Sequence, residues 1–220
     1  MSDRTEGDPH AEGRATAAVD PAVRAGVALF NEGFYLAAHE PWETTWLPLD
    51  AGKDERLLHG LIQFAAATHH ARTGNDSGAI GTAEGAIGYL DGFGDRYRGL
   101  ELEPIRSWCR LIAADPDDAA AADPPTLRID DRPVGFEDLG PGATLAALPA
   151  AAEATGIGDE EVMEAVGEFV RSEESIGADP LVELAFAYLR EPDARPQIAA
   201  RIADRVERRQ RERDDVAGVF

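Results

Sequence analysis

The chain predicts an all-α fold, an antiparallel helical bundle with a short β-hairpin in its C-terminal extension. Three observations lead there. Apolar residues recur every three to four positions through most of the 220 residues. The segments carrying that period are bounded by helix start and stop signals and joined by short links, which favour antiparallel neighbours. Strand-like alternation is confined to one stretch, Leu127, Ile129, Val134 and Phe136 around the turn-forming Asp130-Asp131.

Residues 1–18 are rich in Ala, Gly, Asp and Glu with little to bury, and are expected as a disordered tail. Asp20-Pro21 reads as an N-cap followed by proline at the first helical position, and Gly33 as a stop, giving a helix over 20–32. Further helices are expected over 35–47, 54–71, 77–93 and 104–114, so that 19–114 forms the core domain. Residues 115–126 are a linker of Asp, Ala and Pro. The hairpin and helices at 142–153, 159–174, 180–190 and 194–213 fill an extension over 127–220.

The third helix is apolar nearly all round through Leu57, Leu58, Leu61, Ile62, Phe64 and Ala65, which marks it as central. The fourth carries Gly78, Gly81, Gly85, Gly88 and Gly92 at alternating steps of three and four. Interior glycines cost about 1 kcal/mol each against alanine, so close helix packing along that face is the expected compensation.

Composition narrows the function classes. The formal net charge is −21, and Lys53 is the one lysine among 21 basic residues. Such a surface stays hydrated where the Debye length has shrunk to about 3 Å, as in molar salt. It points to a halophilic archaeon of the salt-in type, the alternative being an acidic protein of a high-GC bacterium. The same charge argues against wholesale nucleic-acid binding. Cys109 stands alone, which excludes an internal disulfide framework and fits a reducing, cytoplasmic setting. No apolar run of about 18 residues occurs, so no membrane span is expected.

Chemistry concentrates in two helices. On the second, Tyr35, His39, Trp42, Glu43 and Trp46 fall within one arc at about 100° per residue, with Glu40 at its edge. On the third, His59, Gln63 and His70 form the polar stripe. Facing each other, the stripes would make one site of imidazoles, carboxylates and an amide beside an aromatic wall. Buried polar groups need partners, and three arrangements supply them: a self-bonded polar network, a divalent transition metal held by His39, Glu43 and His70, or a pocket for a small molecule lined by Tyr35, Trp42, Trp46, Gln63 and His59. In the last two, Glu40 or Glu43 is the candidate catalytic base, and a metal-dependent hydrolase is the activity class. The spacing is neither the His-Glu-x-x-His of zinc proteases nor the Glu-x-x-His of di-iron bundles. The alternative is a non-catalytic interaction module, with the glycine-striped helix or the arginine-rich 190–213 segment meeting a partner, or a homo-oligomer. Within that segment Asp204 with Arg208 and Glu207 with Arg211 are expected as i, i+4 pairs. Pro41 adds that the helix starts near Ala38, placing N-terminal amides beside the motif, or kinks beside His39.

The segment His39-Glu40-x-x-Glu43-x-x-Trp46, followed by Gly60-Leu61-Ile62-Gln63, resembles a known family, the domain of unknown function numbered 309. Gly33, Tyr35, Ala38, Ala66-Ala67, His70, Gly74-Asn75 and Gly78-Ala79 extend the likeness over about residues 22–92. The resemblance implies a small, mostly helical bundle of unassigned activity, and the acidic extension is similar to that of haloarchaeal members.

Overall fold

The structure, a computed structural model, describes residues 9–171 and 179–217. Its helices are α1 (Pro9–Asn31), α2 (His39–Trp46), α3 (Lys53–Arg72), α4 (Asp76–Leu90), α5 (Glu103–Ala114), α6 (Pro116–Ala121), α7 (Pro141–Thr155), α8 (Glu160–Arg171), α9 (Pro180–Arg190) and α10 (Arg195–Ala217). Four two-residue strands, β1 (Arg96–Tyr97), β2 (Leu100–Glu101), β3 (Arg128–Ile129) and β4 (Arg132–Pro133), pair antiparallel in that order. The fold is the all-α bundle that periodicity predicts, with the hairpin β3–β4 where alternation places it. No helix among the described residues is long and apolar enough to cross a membrane.

α1 starts at Pro9, ahead of the Asp20-Pro21 signal, and carries Pro21 inside it. Of the expected tail, residues 1–8 lie outside the described residues, as do 172–174 of the helix expected over 159–174. From Ala22 to Phe30, α1 is buried except at Arg24. α2, α3 and α7 all pack on it, so it is central together with α3.

Two local signals shape the remaining elements. Asp115-Pro116 repeats the cap-then-proline pattern, and Asp115 accepts a hydrogen bond from the Asp118 amide at 3.0 Å, opening α6 inside the stretch expected as a linker. Arg98-Gly99, at φ of 49° and 76°, makes the tight β1–β2 turn. β2 then pairs with β3 through Leu100 and Ile129, which stitches the extension to the helical core. Asn31 reinforces the join: its amide donates to the Leu127 and Val134 carbonyls at 2.9 Å each and accepts from the Leu127 amide at 2.8 Å.

The glycine stripe of α4 makes the close packing expected of it at two of its five positions: a Cβ would lie 3.0 Å from His70 of α3 at Gly78 and 3.2 Å from Gln63 of α3 at Gly85. A Cβ at Gly81, Gly88 or Gly92 would meet nothing within 4 Å. The buried face is instead Ala79, Ala83, Ala86 and Leu90, half a turn away. Close approach occurs at Gly60 of α3, where a Cβ would lie 2.8 Å from Leu90, and at Gly26 of α1, where it would overlap the Trp42 indole. Alanine fills the buried contact with α3, so Gly81, Gly88 and Gly92 are left open.

Candidate functional site

Pro41 determines where α2 begins. It lacks an N–H, which is tolerated only in a helix's first turn, where the amides have no intrahelical partner. The helix accordingly starts at His39, the first of the two arrangements expected. The amides of His39 and Glu40 are taken by the carbonyls of Leu36 and Ala37 at 3.1 and 3.2 Å, so they are not open to an anion.

α2 runs antiparallel to α3, which divides the polar stripe into two ends. At one end, Trp46 donates its indole N–H to Glu55 Oε1 at 2.9 Å. The His59 ring lies between Trp46, centroid to centroid 4.5 Å, and Tyr89 of α4, stacked at 3.8 Å, with Nδ1 at 3.8 Å from Glu55. At the other end, His39 donates Nδ1–H to the Leu36 carbonyl, and its Nε2 lies 3.5 Å from Glu43 Oε2. His69 faces this end: burial lowers its pKa first, and the nearby charges of His70 and His39 lower it further.

The single site expected from the two stripes is therefore not assembled. His59 and His70 are eleven residues apart on one helix, about 16 Å along its axis. His70 is turned to the α4 side, where Asn75 donates its amide to Nδ1 at 3.1 Å. Asn75 also caps α4, accepting from the Gly78 amide, which sets its amide orientation and gives a neutral His70 the Nε2–H tautomer. Among the described residues, neither His70 nor His69 joins His39 and Glu43 with all three ligand atoms within 4.8 Å of one another. Gln63 lies over Gly85 of α4.

The aromatic wall is divided as well. Trp42 is fully buried against Gly26, and its Nε1 has no hydrogen-bond partner. Tyr35 packs on Phe30 at 4.9 Å. Of the expected ligand-binding set, Trp46 and His59 meet ring to ring.

Glu40 points away from His39 and Glu43, toward α7 and α8. Its carboxyl hydrogen-bonds Glu153, and Glu160 joins them with all three ligand atoms within 4.8 Å. Burial, then the Glu153 hydrogen bond, then the charges of Glu153, Glu160 and Glu164 push the Glu40 pKa up to about 8. A shared cavity for the two expected catalytic carboxylates is thus absent. Contacts across elements cannot be read from spacing, which is why Tyr89, Glu153 and Glu160 were missed. Glu55, at i−4 from His59, was within reach of a helical-wheel reading.

The remaining expectations concern structural residues. Trp108 is in the core and donates to Thr68 Oγ1 at 3.0 Å. Cys109 is buried and its thiol is pushed up to about 12, which removes it as a nucleophile at neutral pH.

No curated protein matches the chain significantly. Residues 23–82, which span α2, α3 and the two ends of the polar stripe, match the model of a family described as a domain of unknown function (DUF309), and in this stretch the chain is similar to that family.

Proposed function

We propose that the His39–Glu43 end of α2 binds a divalent transition metal, with His69 as the neighbouring imidazole. The arrangement of His39 carries this reading. With its proton on Nδ1 and donated to Leu36, a neutral ring turns the Nε2 lone pair toward the Glu43 carboxylate 3.5 Å away. Two acceptors facing each other need a cation between them. Two ligands on one tetrahedral zinc stand about 3.4 Å apart, given bonds near 2.1 Å. A backbone carbonyl on the distal ring nitrogen is the usual support of a metal-bound imidazole. Burial and the charges of His70 and His39 favour the neutral form of His69, whose ring must turn to complete the set, since the three ligand atoms do not all lie within 4.8 Å of one another. His70, tied to Asn75, leaves the set. A metal here would act as a Lewis acid toward a small substrate, and hydrolysis is the corresponding activity class. Glu40 then has no part in the chemistry.

The second reading is a non-catalytic helical module, in which the cation is a proton and His39–Glu43 is an ion pair. The cluster Trp46–Glu55–His59–Tyr89 favours it, because Trp46 donates to Glu55 and the rings pack on one another. Calorimetric titration of untagged, chelator-free protein with Zn²⁺ separates the two. The metal reading expects stoichiometric binding weakened at least about tenfold in His39→Ala and Glu43→Gln. Equal weak binding by all three proteins leaves the module.

The charge of −21 with a single lysine supports adaptation to a salt-rich cytoplasm. Unfolding followed from low to molar KCl tests it: stability should rise steeply with salt, and a flat response would remove the reading.

A further inference from the structure

Most arginines of this chain have partners. Arg98 grips Asp54 with Nε and Nη2 at 2.6 Å each, Arg96 pairs with Glu101, and Arg56 and Arg72 donate to backbone carbonyls that end α4 and α6. On α10 the pattern changes. Glu207–Arg211 forms at 3.8 Å, but the expected Asp204–Arg208 pair does not. Arg201, Arg205 and Arg208 have no hydrogen bond or ion pair among the described residues. They stand at i, i+4 and i+7, a ladder with a rung about every 5.4 Å. The apolar face of α10, with Ile198, Ile202 and Val206, is turned into the core, and Arg201 and Arg208 are exposed.

α8 carries the opposite ladder. Glu160, Glu164 and Glu168 stand at i, i+4 and i+8, all exposed, while Met163, Val166 and Val170 are buried beneath them. None of the three is paired with a basic residue among the described residues. Glu160 also adjoins the Glu40–Glu153 pair, which widens the acidic face. Like charges one turn apart repel, so each ladder is unfavourable by itself. α8 and α10 are packed neighbours, yet the ladders form no ion pair with each other in one chain.

We propose that the occupant of the α10 face is a second copy of this chain, with the α8 glutamates of one protomer lying along Arg201, Arg205 and Arg208 of the other. Charge complementarity selects this occupant. The acidic and basic rungs have nearly the same rise, and both ladders belong to one molecule, so a two-fold axis makes the contact twice. A nucleic acid offers negative charge too, but it must approach a chain of net charge −21.

Sedimentation equilibrium of the full chain at one fixed salt concentration tests the proposal. Wild type should dimerise with rising concentration. Reversing the basic ladder (Arg201→Glu, Arg205→Glu, Arg208→Glu) or the acidic one (Glu160→Arg, Glu164→Arg, Glu168→Arg) should weaken the dimer at least about tenfold, with helical circular dichroism unchanged. Mixing the two variants should restore a dimer, because their ladders are again opposite. The proposal is overturned if wild type stays monomeric, if either variant associates like wild type, or if the mixture fails to pair. A labelled single-stranded RNA bound by wild type and by the acidic-ladder variant, but not by the basic-ladder variant, would overturn it in favour of nucleic acid.

Discussion

The Glu40 carboxyl of α2 is hydrogen-bonded to Glu153 of α7, so a proton rather than a basic side chain joins the motif helix to the C-terminal extension. Its folded pKa of about 8 lies above the ordinary 4.5. Between those values the folded state holds a proton that the unfolded chain has released, so its stabilisation is complete below about 4.5 and lost as pH rises through about 8. Thermal unfolding at constant salt should therefore show wild type losing stability from pH 6 to pH 9 relative to Glu40→Gln. Parallel curves for the two proteins would contradict the shared proton.

The two classes of glycine should respond in opposite directions. Gly26→Ala forces a methyl group into the Trp42 indole, and overpacking of that kind costs about 1–3 kcal/mol. Gly81→Ala adds the same methyl to open space on α4 and gains up to about 1 kcal/mol of helix propensity. Denaturant unfolding of both variants measures the difference. A destabilised Gly81→Ala would mean that the glycine face is packed after all.

Imidazoles one residue apart should not be interchangeable. His69→Ala is expected to lower Zn²⁺ affinity about tenfold or more, whereas His70→Ala, which removes the Asn75 contact and a charge beside His69 but no ligand, changes it much less. The reverse ranking in calorimetric titration would return His70 to the metal set.

Asp179 has a fully buried side chain held by Arg209 at 2.7 and 3.1 Å and by the Leu181 amide at 2.8 Å. Removing the guanidinium in Arg209→Met strands a carboxylate in the interior, which costs about 3–5 kcal/mol. The double variant with Asp179→Asn should recover part of that loss. A single variant as stable as wild type would show the pair to be dispensable.

How much was legible follows from the range of each interaction. Periodicity and capping act within one turn, and they located the helices, the β3–β4 hairpin and the motif on α2 and α3. The same local logic governs α6 and the Arg98-Gly99 turn, through the Asp115-Pro116 cap and the positive φ of an X-Gly pair. A helical wheel also grouped His39 with Glu43, a contact four residues long. It could not tell that α2 runs against α3 so that Trp46 meets His59 while His39 lies by His69.

The amino-acid order by itself therefore determined the helical class, the acidic surface and the segment that carries the polar side chains. Tertiary packing alone decided which side chains meet. Gly26 admits Trp42 into the core, Ala79 and Ala83 seat α4 with Gly81, Gly88 and Gly92 left open, and α7 comes up beside α2 to turn Glu40 into a proton-sharing partner of Glu153. The physical reason is that a side chain's direction is set locally, but its neighbour is set by close packing between elements distant in sequence.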